Sequence, residues 1–158
     1  EYYDFEARIR VDQESSTAGS GLVWAYNNTD TDYGYYTYRY LSSEASFIMG
    51  DTESGWYNDL TTGGDANDFN KFTIRLYDGK YYFFMNGEHV LTEDHMGDFG
   101  EYFGYFVGEG NKITVDWIGI WIMDLSKGKS ARIKDINRKN QYFGKGEAVM
   151  VPNVMKIK

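Results

Sequence analysis

Residues 70–93 carry the clearest pattern of apolar and polar positions in the chain. Phe72, Ile74 and Leu76 alternate with Thr73, Arg75 and Tyr77, the period of two that gives a strand one buried and one solvated side. Asp78-Gly79 and Asn86-Gly87 bracket Lys80 to Met85. Both dipeptides suit a type I′ turn, whose two central residues need positive φ. The pattern therefore predicts a three-stranded antiparallel meander.

The same reading extends in both directions. In residues 2–12, Tyr3, Phe5, Ala7, Ile9 and Val11 alternate with Asp4, Glu6, Arg8, Arg10 and Asp12, a half-buried strand. Residues 21–26 are apolar at successive positions, as expected of a strand buried between layers. A tyrosine-rich strand is predicted over 33–41 and a short apolar one over 46–49. Residues 51–70 read as the longest irregular region. A strand is predicted over 101–107. Over 112–124 strict alternation sets Ile113, Val115, Trp117, Gly119, Trp121 and Met123 on one side and Thr114, Asp116, Ile118, Ile120, Ile122 and Asp124 on the other. About ten strands with short links and no amphipathic helix imply an all-β, two-sheet antiparallel β-sandwich.

Composition supports that class. Aromatic residues make up 18% of the chain, with 15 tyrosines and one proline, and such rings favour pleated surfaces. With no cysteine, disulfides and thiolate zinc sites are excluded. No apolar run reaches the roughly 20 residues of a membrane span. The chain opens at Glu1 directly in strand pattern, so it is expected to be a piece of a larger protein with neighbouring domains as partners. Charge divides it in two. Residues 1–125 hold 7 Lys/Arg against 22 Asp/Glu, a net of −15, and residues 126–158 hold 9 against 2, a net of +7. An acidic body argues against nucleic acid as a partner. The first 125 residues are thus expected to form the sandwich. Residues 126–158 form a basic C-terminal extension that packs on it, with strands near 131–136 and 148–151, or leads to a further domain.

The order of these segments also resembles a known superfamily. The residues concerned are Phe5 to Val11, Gly21-Leu22-Val23-Trp24, Tyr35-Tyr36, Asn70 to Ile74, Tyr81 to Phe84 with Asn86-Gly87, Gly104 to Val107, and Ile113 to Ile118. Across roughly 2–124 they are similar to the concanavalin A-like lectin/glucanase superfamily, in particular its laminin-G-like and 3-keto-disaccharide-hydrolase-like jelly rolls. The resemblance implies a concanavalin-type jelly roll and a function in binding or cleaving carbohydrate. It also raises Ca²⁺ as a cofactor, because relatives bind it through loop carboxylates.

The residues themselves narrow these options. Retaining glucanases of the superfamily carry Glu-x-Asp on a strand, with two carboxylates about 5 Å apart, and no glutamate here is followed by aspartate two positions on. Asp4-Phe5-Glu6 and Asp51-Thr52-Glu53 have the reverse order and read as solvated acids. His89 and His95, the two histidines, match no zinc or hydrolytic spacing. Two hard-oxygen clusters, Asn27, Asn28, Asp30 and Asp32, then Asp59, Asp65, Asn67 and Asp68, could suit Ca²⁺, yet neither has EF-hand spacing and both types are ordinary in turns. No cofactor or metal site is therefore expected. The remaining chemistry is aromatic. Tyr33, Tyr35, Tyr36 and Tyr38, with Trp56 and Tyr57, are expected to line a shallow groove where a glycan stacks on the rings. The expected function is a non-catalytic binding or interaction module, carbohydrate-binding, within a larger protein. A glycoside hydrolase of the 3-keto-disaccharide type and a structural spacer are the alternatives.

Overall fold

The computed structural model describes residues 2–15, 19–29, 32–41, 46–51, 55–59, 64, 68–95, 102–124, 129–135, 140–143 and 147–150. For 26–29, 32–36, 40–59, 102 and 123–150 that description covers backbone strands only. Among the described residues there is no helix, and all regular structure is antiparallel strand. The first sheet runs, in spatial order, β11 (Lys129–Asp135), β10 (Lys112–Asp124), β1 (Tyr3–Gln13), β6 (Asn70–Tyr77), β7 (Lys80–Met85) and β8 (Glu88–Asp94), with β12 (Asn140–Phe143) also paired to β10. The second runs β13 (Glu147–Met150), β9 (Tyr102–Val107), β2 (Ser20–Thr29), β3 (Asp32–Leu41), β4 (Ser46–Asp51) and β5 (Gly55–Asp59).

The meander forms as its turn residues dictate. Asp78 and Gly79 have φ of 49° and 70°, and Asn86 and Gly87 have 52° and 91°, so both hairpins close with two positive-φ residues. Asn86 does more than turn. Its Oδ1 accepts the Lys71 backbone N–H at 2.8 Å, and its own N–H donates to the Lys71 carbonyl at 2.8 Å. The far hairpin is thereby tied to the start of β6.

The two sheets share one core. Phe5, Ala7 and Ile9 of β1, Phe72, Ile74 and Leu76 of β6, and Tyr81, Phe83 and Met85 of β7 face Leu22, Trp24, Tyr38, Phe103 and Tyr105 of the second sheet, all at most 4% exposed. Ring contacts cross between the sheets: Trp24 on Phe83 at 5.5 Å, Phe5 on Phe103 at 4.9 Å and Tyr38 on Phe72 at 5.3 Å. Such tilted and edge-on pairs suit the quadrupoles of the rings. The result is a sandwich-like pair of sheets with an aromatic interior.

The expectation that β2 is buried on both sides holds. Leu22 and Trp24 face the core, while Val23, on the other side, is 0% exposed. Its neighbours there, Thr37 and Arg39, are 0% and 1% exposed, and the Arg39 guanidinium lies 3.4 Å from the Phe106 ring centroid. Gly21 is required at its position, because a Cβ would meet the backbone of Tyr38 and lie 2.8 Å from the Arg39 Cα.

Two expectations need correction. Region 51–70 is not irregular throughout, since β5 lies inside it and pairs with β4. Strict alternation over 112–124 also fails. Ile9 pairs with Val115 while Arg8 pairs with Trp117, so Asp116 is an extra residue and the strand bulges. Beyond the bulge the phase reverses. Ile113 and Val115 face the core and so do Ile118 and Ile120, each at most 1% exposed, with Ile122 packed against it. Trp117 and Trp121 are thereby turned outward.

After Asp124 the chain first supplies β11 and then β12, one after the other along the same edge of β10, and then β13 on β9. One short stretch of chain thus extends both sheets on the same side.

Candidate functional site

The outward side of the first sheet is built like a recognition surface. Its residues are set by register. Trp121, Asp4, Arg75, Tyr82 and Thr92 lie in one row across β10, β1, β6, β7 and β8, and Gly119, Glu6, Thr73, Phe84 and His89 in the next. Alternation puts core residues between them on every strand. Trp117, Trp121, Tyr82 and Phe84 are half-buried, so part of each ring meets solvent. From Trp121 to Tyr82 there are three strand spacings, about 14 Å.

Between the rings runs a ladder of ion pairs. Arg75 holds Asp4 with two bonds of 2.7 Å, Nε to Oδ1 and Nη2 to Oδ2. Glu6 Oε1 accepts from Lys71 Nζ at 3.0 Å and from Thr73 Oγ1 at 2.8 Å. The bulge residue Asp116 accepts from Arg8 Nη1 at 2.7 Å. Asp12 is also an extra residue, between Val11 and Gln13, and it accepts from Arg10 Nε at 2.7 Å and from the Thr114 hydroxyl. The hydrogen bonds that Arg75 donates to Asp4 raise its pKa further. For Asp12, partial burial favours the neutral acid, but the bonds from Thr114 and Arg10 outweigh it and hold the carboxyl below its ordinary value.

These pairs are too exposed to matter much for stability. The Arg8, Lys71 and Arg75 side chains are 38–41% exposed, and pairs of that kind contribute about 0–1 kcal/mol each. Their main effect is positional. Arg75 lies 5.5 Å from the Phe84 centroid and 5.9 Å from Tyr2, and Arg8 and Arg10 each lie 4.9 Å from Phe69. Trp117 and Trp121 meet edge-on at 6.0 Å. The face therefore presents fixed aromatic platforms beside guanidinium donors and carboxylate acceptors. Such a set can stack on apolar C–H surfaces and exchange hydrogen bonds with hydroxyl groups.

Of the residues expected to line a groove, Tyr38 alone has a described side chain. Tyr38 is a core ring, 2% exposed, against Phe72 and Phe83 at 5.3 and 5.4 Å, and its burial raises the hydroxyl pKa. It presents no surface to a ligand. Tyr33, Tyr35 and Tyr36 lie in β3, Trp56 and Tyr57 in β5, and their side chains are outside the described residues. The register sets Tyr57 in line with Met49 and Tyr38, and Trp56 in line with Gly50 and Thr37. Both thus lie on β5, with β4 between them and β3.

His89 is exposed and bonded to Thr92 at 2.8 Å, and His95 is half-buried with its ring 5.1 Å from Tyr81. Asp4 and Glu6 are ion-paired rather than simply solvated. Among the described residues no group of three or more His, Asp and Glu is arranged to hold a metal. The two oxygen-rich clusters lie outside the described side chains except Asp68, which is exposed and caps the Phe69 N–H at 2.6 Å. No helix among the described residues is long and apolar enough to cross a membrane.

Sequence reasoning missed Trp117, Trp121, Tyr82 and Phe84. A signal was present in β10, where Ile118, Ile120 and Ile122 are a β-branched apolar run out of phase with Ile113 and Val115. Two such runs cannot share a side without an extra residue between them. No protein-family model matches the chain, and no curated protein matches its sequence. What the architecture and the outward face define is a class: an all-β, sandwich-like protein with an aromatic and ion-paired sheet surface.

Proposed function

We propose that the chain is a non-catalytic binding module of a larger protein and that it takes a glycan on the outward face of the first sheet. The carrying observation is the set of half-buried rings, Trp117, Trp121, Tyr82 and Phe84, on one face whose charged side chains are held in place by mutual ion pairs. Sugars offer a C–H face to a ring and hydroxyls to carboxylates and guanidinium groups, and this face supplies all three. The finer fold in this reading is a concanavalin-type jelly roll, which accords with two facing antiparallel sheets and the Asn86-Gly87 meander.

The test is a titration of the intact chain with a panel of neutral and acidic oligosaccharides, read by tryptophan fluorescence. Weak binding is expected, with Kd on the order of 0.1–1 mM, or roughly 4–5.5 kcal/mol. Trp121→Ala should weaken binding about tenfold, roughly the value of one ring stack, and leave the melting temperature close to that of the parent. A panel with no binder, or turnover of any member, overturns the reading.

A further inference from the structure

Resting on that reading, we infer that the glycan is a neutral polysaccharide in extended conformation and that it runs across the strands, one sugar above each of β10, β1, β6 and β7. The direction follows from the rings. Trp117 and Trp121 lie on one strand, but their planes stand at 82° with centroids 6.0 Å apart, so they offer no common flat platform to a chain laid along β10. The next ring in the row of Trp121 is Tyr82, with Asp4 and Arg75 between them. In the neighbouring row Glu6 and Thr73 lie between Gly119 and Phe84. Rings therefore stand at the two ends of a span whose middle is polar.

The spacing sets length and shape. Trp121 and Tyr82 are three strand spacings apart, about 14 Å. A pyranose unit of an extended chain advances roughly 5 Å, close to one strand spacing. Four consecutive sugars thus fall in step with four strands. The first stacks on Trp121 and the fourth on Tyr82, and the two between them lie over Asp4, Arg75, Glu6 and Thr73. A coiled chain shortens its advance per sugar and turns successive faces away, so it loses this step. Equatorially linked sugars, which extend, fit the span. α-1,4-linked glucans, which coil, do not.

The middle of the span decides the charge. Each described carboxylate in it or beside it is matched by a cation, Asp4 by Arg75, Glu6 by Lys71 and Asp116 by Arg8. An anionic group would sit beside Asp4 and Glu6, and a cationic one beside Arg75 and Arg8, with no net attraction to offset either. A hydroxyl both donates and accepts. Arg75 gives Nε and Nη2 to Asp4 and, with five N–H donors in its guanidinium, keeps others for a hydroxyl oxygen. Asp4 and Glu6 have lone pairs left for a hydroxyl proton.

The experiment titrates the intact chain with β-1,4-linked gluco- and manno-oligosaccharides of two, four and six sugars, with maltotetraose and with oligogalacturonate. In at least one β-1,4 series affinity should rise about tenfold from two sugars to four, the effect of a second ring stack, and change less than about twofold from four to six. Maltotetraose should bind at least about tenfold more weakly than that tetrasaccharide, and oligogalacturonate no more tightly than it. Raising salt from ~0.05 to ~0.5 M should leave the tetrasaccharide affinity unchanged. Tyr82→Ala should remove the gain with length and leave the disaccharide, held at Trp121, within about twofold. Tyr82→Phe should keep the gain. If Tyr82→Ala fails to fold, Tyr82→Leu removes the ring and should lose the gain in the same way. Equal affinity for two and four sugars, a gain that continues evenly to six, or tightest binding of maltotetraose or oligogalacturonate overturns this inference and leaves the glycan-binding reading standing. No binding of any oligosaccharide overturns both.

Discussion

At the scale of single residues, two side chains show how local chemistry is coupled to the fold. Asn86 sits at a φ of 52° and ties the second hairpin to Lys71. Asn86→Ala should cost about 1–3 kcal/mol, combining left-handed strain of 1–2 kcal/mol with a lost hydrogen bond. Urea unfolding measures this, and Asn86→Gly should cost less because glycine tolerates the turn. Asp12 gives a pH dependence of definite sign. Thr114 and Arg10 lower its pKa in the folded state, so its contribution to stability is full above the unfolded carboxylate value of about 3.9 and is lost as pH falls through the lower folded value. Between about pH 5 and pH 2 the parent should lose more stability than Asp12→Asn. Equal slopes for the two proteins would show that the bonds to Asp12 are not energetically coupled to folding.

At the scale of elements, the bulge in β10 decides what the first sheet shows to solvent. One extra residue moves Ile118, Ile120 and Ile122 into the core and Trp117 and Trp121 out of it. The bulge is held by Asp116, which bonds to Arg8 on the neighbouring strand. Ile118→Ala should therefore cost about 2–5 kcal/mol, as for a buried aliphatic side chain. Trp117→Ala, despite the larger ring, should cost less than about 1.5 kcal/mol because part of the ring is already solvated. Denaturant unfolding of the two variants distinguishes this arrangement from strict alternation, which predicts the reverse order. A second bulge marks the outer strand of the meander. Phe83 pairs with Leu91 but Phe84 pairs with His89, leaving Val90 extra on β8. With Glu88, Glu93 and Asp94 on the same strand, this edge is poorly suited to add another strand.

At the scale of the whole molecule, the basic C-terminal extension acts on both sheets. β11 and β12 lie along β10, and β13 lies along β9, so two strand edges on one side depend on one segment. Removing residues 125–158 would leave both edges unpaired, and unpaired edges invite association with other chains. The truncated chain should melt at least about 10 °C lower, the scale of a few kcal/mol in a domain of this size. It should also associate with rising concentration in size-exclusion chromatography. A monomer with an unchanged melting temperature would show that β11 to β13 contribute little.

Short-range chemistry made much of this legible in advance. Asp78-Gly79 and Asn86-Gly87 determine their turns because few other residues accept positive φ. The alternation of β1 and β6 marks a buried side because strand geometry has a period of two. The unbroken apolar run of β2 announces burial on both sides for the same reason. Alternation divides a strand into two sides without saying which side meets the other sheet, and a single inserted residue exchanges them. Only the pairing of β10 with β1 placed Asp116 as the extra residue, and only the facing sheet made Tyr38 a core ring instead of a surface one. The division of the basic extension between two sheets was likewise decided in tertiary structure. The row of Trp121, Asp4, Arg75 and Tyr82 joins residues up to 117 positions apart in the chain. No local pattern encodes such a row, because it exists only once four strands have found their register.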